Sequence, residues 1–109
     1  MRLKSAIWVA AYLRRRHIDG TFAVVRRRGA EEAGAIFIKI ARLDGTCTVL
    51  NQTRDAQGQP AWARPLGETV DETKAGAYFE RQIKFDPDLW IVEIEDREGR
   101  SFLDEPILP

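Results

Sequence analysis

The apolar positions change period along the chain, and each change marks an element. Over residues 5–18 they do not alternate: Ala6, Val9, Ala10, Leu13 and His17 share one face at helical spacing. This predicts a helix from Ser5 to Ile18, with Ser5 as its cap and Asp19-Gly20 as a left-handed stop. An opening strand over residues 6–10 is the competing reading. Residues 21–28 are β-branched and aromatic, and residues 34–42 place Ile36, Ile38 and Ile40 on one face, so both read as strands. The segment "RGAEEAG" between them reads as a Gly-bounded hairpin loop with Ala30, Glu31 and Glu32 at an exposed tip. "LDGT", 43–46, is an Asp-Gly turn leading into a third strand, 47–51, of a meander.

The stretch from Gln52 to Glu68 is rich in Gly and Pro, and a short strand around 61–65 would be held to an edge by Pro60 and Pro65. Thr69 and Glu72 have capping-box spacing and open a second helix whose apolar stripe is Ala75, Tyr78, Phe79, Gln82 and Ile83. Pro87 ends that helix near Phe85 or Asp86. Residues 89–95 are the next strand, with Trp90, Val92 and Ile94 on a core face and Glu93 and Glu95 on a wet one. "DREGR" turns the chain into a short return strand, 101–103, and residues 104–109 run extended. The pattern predicts one α+β domain over 1–109, with two helices packed on one face of a mostly antiparallel sheet of about five strands.

Composition agrees with that picture. Hydrophobic residues at 44% against 31% charged ones describe a soluble globular chain, so a cytoplasmic setting is expected. The longest apolar run, residues 6–13, is far short of the ~20 residues that a membrane span needs, so no membrane partner is expected. The single cysteine, Cys47, forbids an internal disulfide and suits a reducing compartment. Net charge is zero but uneven. Residues 1–50 carry ten Lys and Arg against four Asp and Glu; residues 51–109 carry seven against thirteen. The halves either neutralise each other within the fold or present a dipolar surface to another copy or an acidic partner.

Three groups of residues could carry chemistry. Arg14, Arg15 and Arg16 with Arg26, Arg27 and Arg28 would make a phosphate-binding corner if they met, although the pI of about 6.6 is low for a nucleic-acid binder. Glu93 and Glu95, about 7 Å apart along a strand face, could hold a divalent cation for hydrolysis. The "PD" at 87–88 echoes one nuclease pattern, but the lysine that pattern needs two residues after its acid is absent. Trp62 beside Arg64, in the loop-like stretch, would be a partner anchor if exposed. His17 and Cys47 read as structural, and no metal-ligand spacing or cofactor motif is present.

Through "AVVRRRGAEEAGAIFIKI" and "FDPDLWIVEIED" the chain resembles a family of small alphaproteobacterial proteins catalogued only as a domain of unknown function. The resemblance spans most of the chain and is weakest over 52–66. It implies a bacterial cytosolic protein and brings no catalytic residue or cofactor with it. The leading expectation is a non-enzymatic protein-interaction domain, with a homodimer as one form of that contact. A nucleic-acid or phosphorylated-ligand binder and a metal-dependent hydrolase are the alternatives.

Overall fold

A computed structural model describes residues 3–109. The elements run α1 (Ser5–Ile18), β1 (Ala23–Arg27), β2 (Ile36–Ala41), β3 (Thr46–Arg54), β4 (Pro60–Ala63), β5 (Val70–Asp71), α2 (Glu72–Phe85) and β6 (Trp90–Glu95). The class is α+β, with one mostly antiparallel sheet of six strands in the order β1-β6-β2-β3-β4 and β5 paired to β3.

Two features depart from the sequence pattern. The segments 21–28 and 34–42 are strands, but they do not form a hairpin. β6 lies between them, antiparallel to β1 and parallel to β2. The meander therefore starts at β2: β2 and β3 pair around the Asp-Gly turn, and β4 pairs antiparallel with β3. The second departure concerns the layers. On β2, Ile36, Ile38 and Ile40 pack with Val9 and Tyr12 of α1, while Phe37 packs with Ala75 and Phe79 of α2. Successive residues of a strand face opposite ways, so the helices cover opposite faces of the sheet, not one. The central strands are consequently buried on both sides, and β6 is buried from Trp90 to Ile94.

Local details explain the boundaries. Helix α1 has no side-chain cap. Its first amides, of Ser5 and Ala6, donate to the carbonyls of Glu32 and Glu31, and Ser5 Oγ donates to Gly34 O at 2.6 Å. Its C-terminal turn does end at a left-handed glycine, Gly20, with φ +77°. Helix α2 begins three residues after Thr69, because Val70 and Asp71 first pair with Cys47 and Thr46 as β5. Asp71 then caps it, accepting from Thr73 N at 2.8 Å. The stripe of α2 is as the spacing predicts, with Ala75 and Phe79 buried.

Residues 101–103 do not return as a strand; Phe102 takes a left-handed φ of +59°. The chain instead crosses to the far edge of the sheet. There Trp62 N donates to Pro106 O at 2.9 Å and Leu108 N donates to Trp62 O at 2.8 Å. β4 is thus a covered edge. Among the described residues no helix is long and apolar enough to cross a membrane.

Candidate functional site

On the α1 face the cover is incomplete. Helix α1 lies over one part of the sheet, and Phe102, Leu103 and Ile107 lie over another. Beside the start of α1 a groove of about 540 Å³ runs past Trp8, Ile36 and Trp62, with Leu3, Arg54 and Glu105 also lining it. That volume is in the range of small-ligand and peptide pockets. Trp62 belongs to the wall without being exposed: it is 1% accessible, and its Nε1 donates to Glu105 Oε1 at 2.9 Å. The expectation of an exposed Trp62 beside Arg64 therefore fails. Arg64 is exposed, but its neighbour is covered by residues 105–108. The half-exposed aromatic of the groove is Trp8, with Leu3 at 58% and Ile7 at 53% exposure on the same end of α1.

Trp8 is held by a ladder. Residues 8, 12 and 16 follow one another at i,i+4 along α1. Trp8 stacks on Tyr12 at 5.1 Å and tilts against Trp62 at 5.5 Å. The Arg16 guanidinium sits 5.0 Å over Tyr12 and 4.7 Å over Phe102, and the Arg100 guanidinium lies 5.5 Å from the Phe102 ring. Arg16 is buried at 6% and also donates to Phe102 O and Asp19. Burial pushes the Tyr12 hydroxyl up to about 12, against the opposing hydrogen bond and charge of Arg16. The ladder makes the groove wall rigid, which lowers the entropy cost of using it as a contact.

The Arg triplets do not meet. Arg14–Arg16 occupy the last turns of α1, where Arg15 faces Asp104 at 3.5 Å and Arg14 is exposed. Arg26–Arg28 lie by the loop that caps the first turn, about 15 Å away along the helix at 1.5 Å per residue. Arg26 is the extra residue of a bulge between Val25 and Arg27 and turns to Glu93, with Nε to Oε1 at 3.2 Å and Nη2 to Oε2 at 3.3 Å. Arg27 donates to Pro87 O at 2.7 Å, and Arg28 covers the Trp90 ring at 5.2 Å. The single concave phosphate corner that both triplets would have formed is not present in this arrangement.

Glu93 is not on a wet face. It is 8% accessible beneath α2, in a chain of alternating charge: Arg26, Glu93, Lys39, Glu72. Lys39 Nζ lies 2.6 Å from Glu72 and 3.6 Å from Glu93. Burial alone would depress Lys39, but the Glu72 hydrogen bond and the Glu93 charge outweigh it and raise the amine above its usual value. Glu95 instead lines a shallow depression with Phe22, Leu43 and Arg97. The four interacting pairs Arg15–Asp104, Arg26–Glu93, Lys39–Glu72 and Lys39–Glu93 each join a base of the first half to an acid of the second. Much of the uneven charge is thereby neutralised within one chain. Cys47 is fully buried, and burial pushes its thiol up to about 11, so it is not a nucleophile at neutral pH. His17 Nε2 bonds Ala23 O at 2.9 Å, a structural link from α1 to β1.

The two most recognisable stretches of sequence pack on each other. Asp88 O accepts from Ala30 N, Trp90 Nε1 donates to Ala30 O, and Trp90 N donates to Ala35 O, all within 2.7–2.8 Å. A Cβ on Gly29 would strike the Asp88 carbonyl and the Trp90 ring, and one on Gly34 would strike the same carbonyl. "RRRGAEEAG" and "FDPDLW" thus form one structural knot that caps α1 and seats β6. The sequence marks Ser5 only as a helix cap and gives Leu3 and Gln52 no role; their convergence with Trp8 in space marks the groove.

The model of a family described as a protein of unknown function (DUF1491) matches residues 3–104. The chain is similar to a DUF1491 family protein from Caulobacter crescentus, whose crystal structure is 42% identical with a TM-score of 0.88, covering 98% of this chain and 100% of that one. An NMR structure of a DUF1491 family protein from the same organism is 43% identical with a TM-score of 0.84, covering 100% and 99%. A solution structure of a protein from A. tumefaciens is 34% identical with a TM-score of 0.81, covering 100% and 98%. A search of the curated proteins finds no match.

Proposed function

We propose that this chain, which belongs to the DUF1491 family of proteins of unknown function, is a non-enzymatic protein-interaction domain whose contact surface is the groove beside Trp8. The observation that carries the reading is the groove itself: apolar at its floor, rigid on its aromatic side, and rimmed by half-exposed Leu3 with one cation and one anion, Arg54 and Glu105. An apolar centre with a few polar rim groups is the ordinary anatomy of a protein contact. The polar groups nearest the floor are engaged structurally. Ser5 Oγ donates to Gly34 O, and Gln52 Oε1 accepts from Ile36 N at 3.3 Å, which supports binding over chemistry.

A photo-cross-linking residue at Leu3 tests this in cells of the source organism, with one at exposed Lys74 on α2 as the control. The reading expects a discrete adduct from position 3 that disappears with Trp8→Ala. No adduct, or the same adducts from both positions, would overturn it.

A further inference from the structure

The edge strand beside the groove already holds an extended segment, and its contacts specify what that segment must be. On the outer edge of β4 the amide and the carbonyl of Trp62 are both taken by residues 106–108. The bridge is parallel, Trp62 against Ile107. One residue upstream, Glu105 accepts the Trp62 indole N–H, and Ile107 packs on the core. Three recognition elements result: a carboxylate for the indole, an extended backbone across Trp62, and an aliphatic side chain for the core.

One side of this strap faces solvent. Asp104, Pro106 and Pro109 are exposed, and the Arg15–Asp104 pair that precedes them is solvent-exposed on both sides. The strap is launched from Phe102, a non-glycine residue at φ +59°, a conformation that costs energy and that the Arg16 and Arg100 contacts maintain. Glu105 is also a rim residue of the groove, so the strap's seat and the groove are one continuous surface.

We infer that the outer edge of β4 is a strand-addition site for an extended acidic–proline–aliphatic segment of a partner protein, and that residues 105–108 are its occupant in cis. This rests on the reading of the domain as a contact module and names the chemistry of the partner. Strand addition supplies backbone bonds for affinity and side-chain seats for specificity. The strap, tethered by a few residues, competes at an effective concentration on the order of millimolar, so it masks the site from weak ligands.

The test uses a labelled peptide, Asp-Glu-Pro-Ile-Leu-Pro, and the full chain with and without Ile107→Ser plus Leu108→Pro. The second change removes the amide that donates to Trp62 O and leaves the β4 side intact. Fluorescence anisotropy should show the peptide binding the double variant at least about tenfold tighter than the unaltered chain, given that masking. Peptides with lysine for the glutamate or serine for the isoleucine should lose that binding. Amide exchange at Trp62 reports the strap directly: its protection should fall in the double variant and return with peptide. Equal or absent binding by both chains overturns the inference, as does a Trp62 amide that stays protected in the double variant without peptide. A dimer by light scattering that vanishes in the double variant would assign the seat to a second copy and overturn the separate partner. Peptide failure with an intact Leu3 cross-link removes only the strand seat; loss of the cross-link removes the contact-module reading itself.

Discussion

The indole nitrogen of Trp90 donates to the carbonyl of Ala30 at 2.8 Å, across 60 residues of sequence. That bond ties the loop after β1 to the start of β6 and, through Glu31 and Glu32, to the first turn of α1. The loop has no room for a side chain where it passes over Asp88. Gly29→Ala should therefore lower the unfolding free energy by about 1–3 kcal/mol, the usual cost of overpacking. Gly76→Ala is the matched control: it lies in α2 with nothing near its Cβ and should stabilise by about 0.5–1 kcal/mol. Urea denaturation of the two variants reads both signs.

Glu93 is shared by Arg26 and Lys39 under α2. Replacing it by glutamine leaves two cations around a neutral group, one of them on a largely buried lysine. Glu93→Gln should cost about 1–3 kcal/mol in chemical denaturation. Lys39 has a raised value in the folded state, so its contribution is complete below the ordinary lysine range and is lost as pH rises through the folded value. The Lys39 part of the alkaline limb of the stability curve should therefore flatten in Glu72→Gln, which removes the 2.6 Å partner of Lys39.

Cys47 should be silent in the folded chain. With its thiol pushed up to about 11 by burial and no exposed surface, it should not react with a thiol reagent at pH about 7.5 until urea unfolds the protein. Rapid stoichiometric labelling under native conditions would contradict this placement.

Asp96 follows β6 and accepts from Arg100 at 2.7 Å through the backbone and 2.8 Å through Nη2. The Arg100 side chain holds its carboxyl below the usual carboxylate range. A depressed folded value means that the stabilisation is present above the ordinary carboxylate value and lost as pH falls through the folded one. Arg100→Ala should shift the Asp96 NMR titration upward and flatten the acid limb of stability between about pH 2 and about pH 5.

Element identities were legible because local period decides them. Both helices and the strands 23–27, 36–41, 46–54 and 90–95 lie close to where the spacing places them. Their arrangement was not legible in the same way. "RGAEEAG" has the composition of a hairpin tip, yet its partner is Asp88-Leu89-Trp90, and no local signal reports a partner 60 residues away. Trp62 reads as loop because of the prolines around it, and its burial comes from residues 105–108. Arg16 reads as part of a candidate phosphate-binding corner and is instead sandwiched between Tyr12 and Phe102. The groove escapes sequence reading for a simpler reason: its residues come from α1, three strands and the strap, and none carries a motif.

The central claim is that the groove beside Trp8 is the contact surface. Backbone amide shifts of the labelled chain, recorded with and without the protein captured through Leu3, test it most directly. The account predicts shifts clustered at Leu3–Trp8, Gln52–Arg54 and Ala61–Trp62, with α2 unmoved. Shifts confined to α2, at Lys74, Glu80 and Arg81, would contradict it.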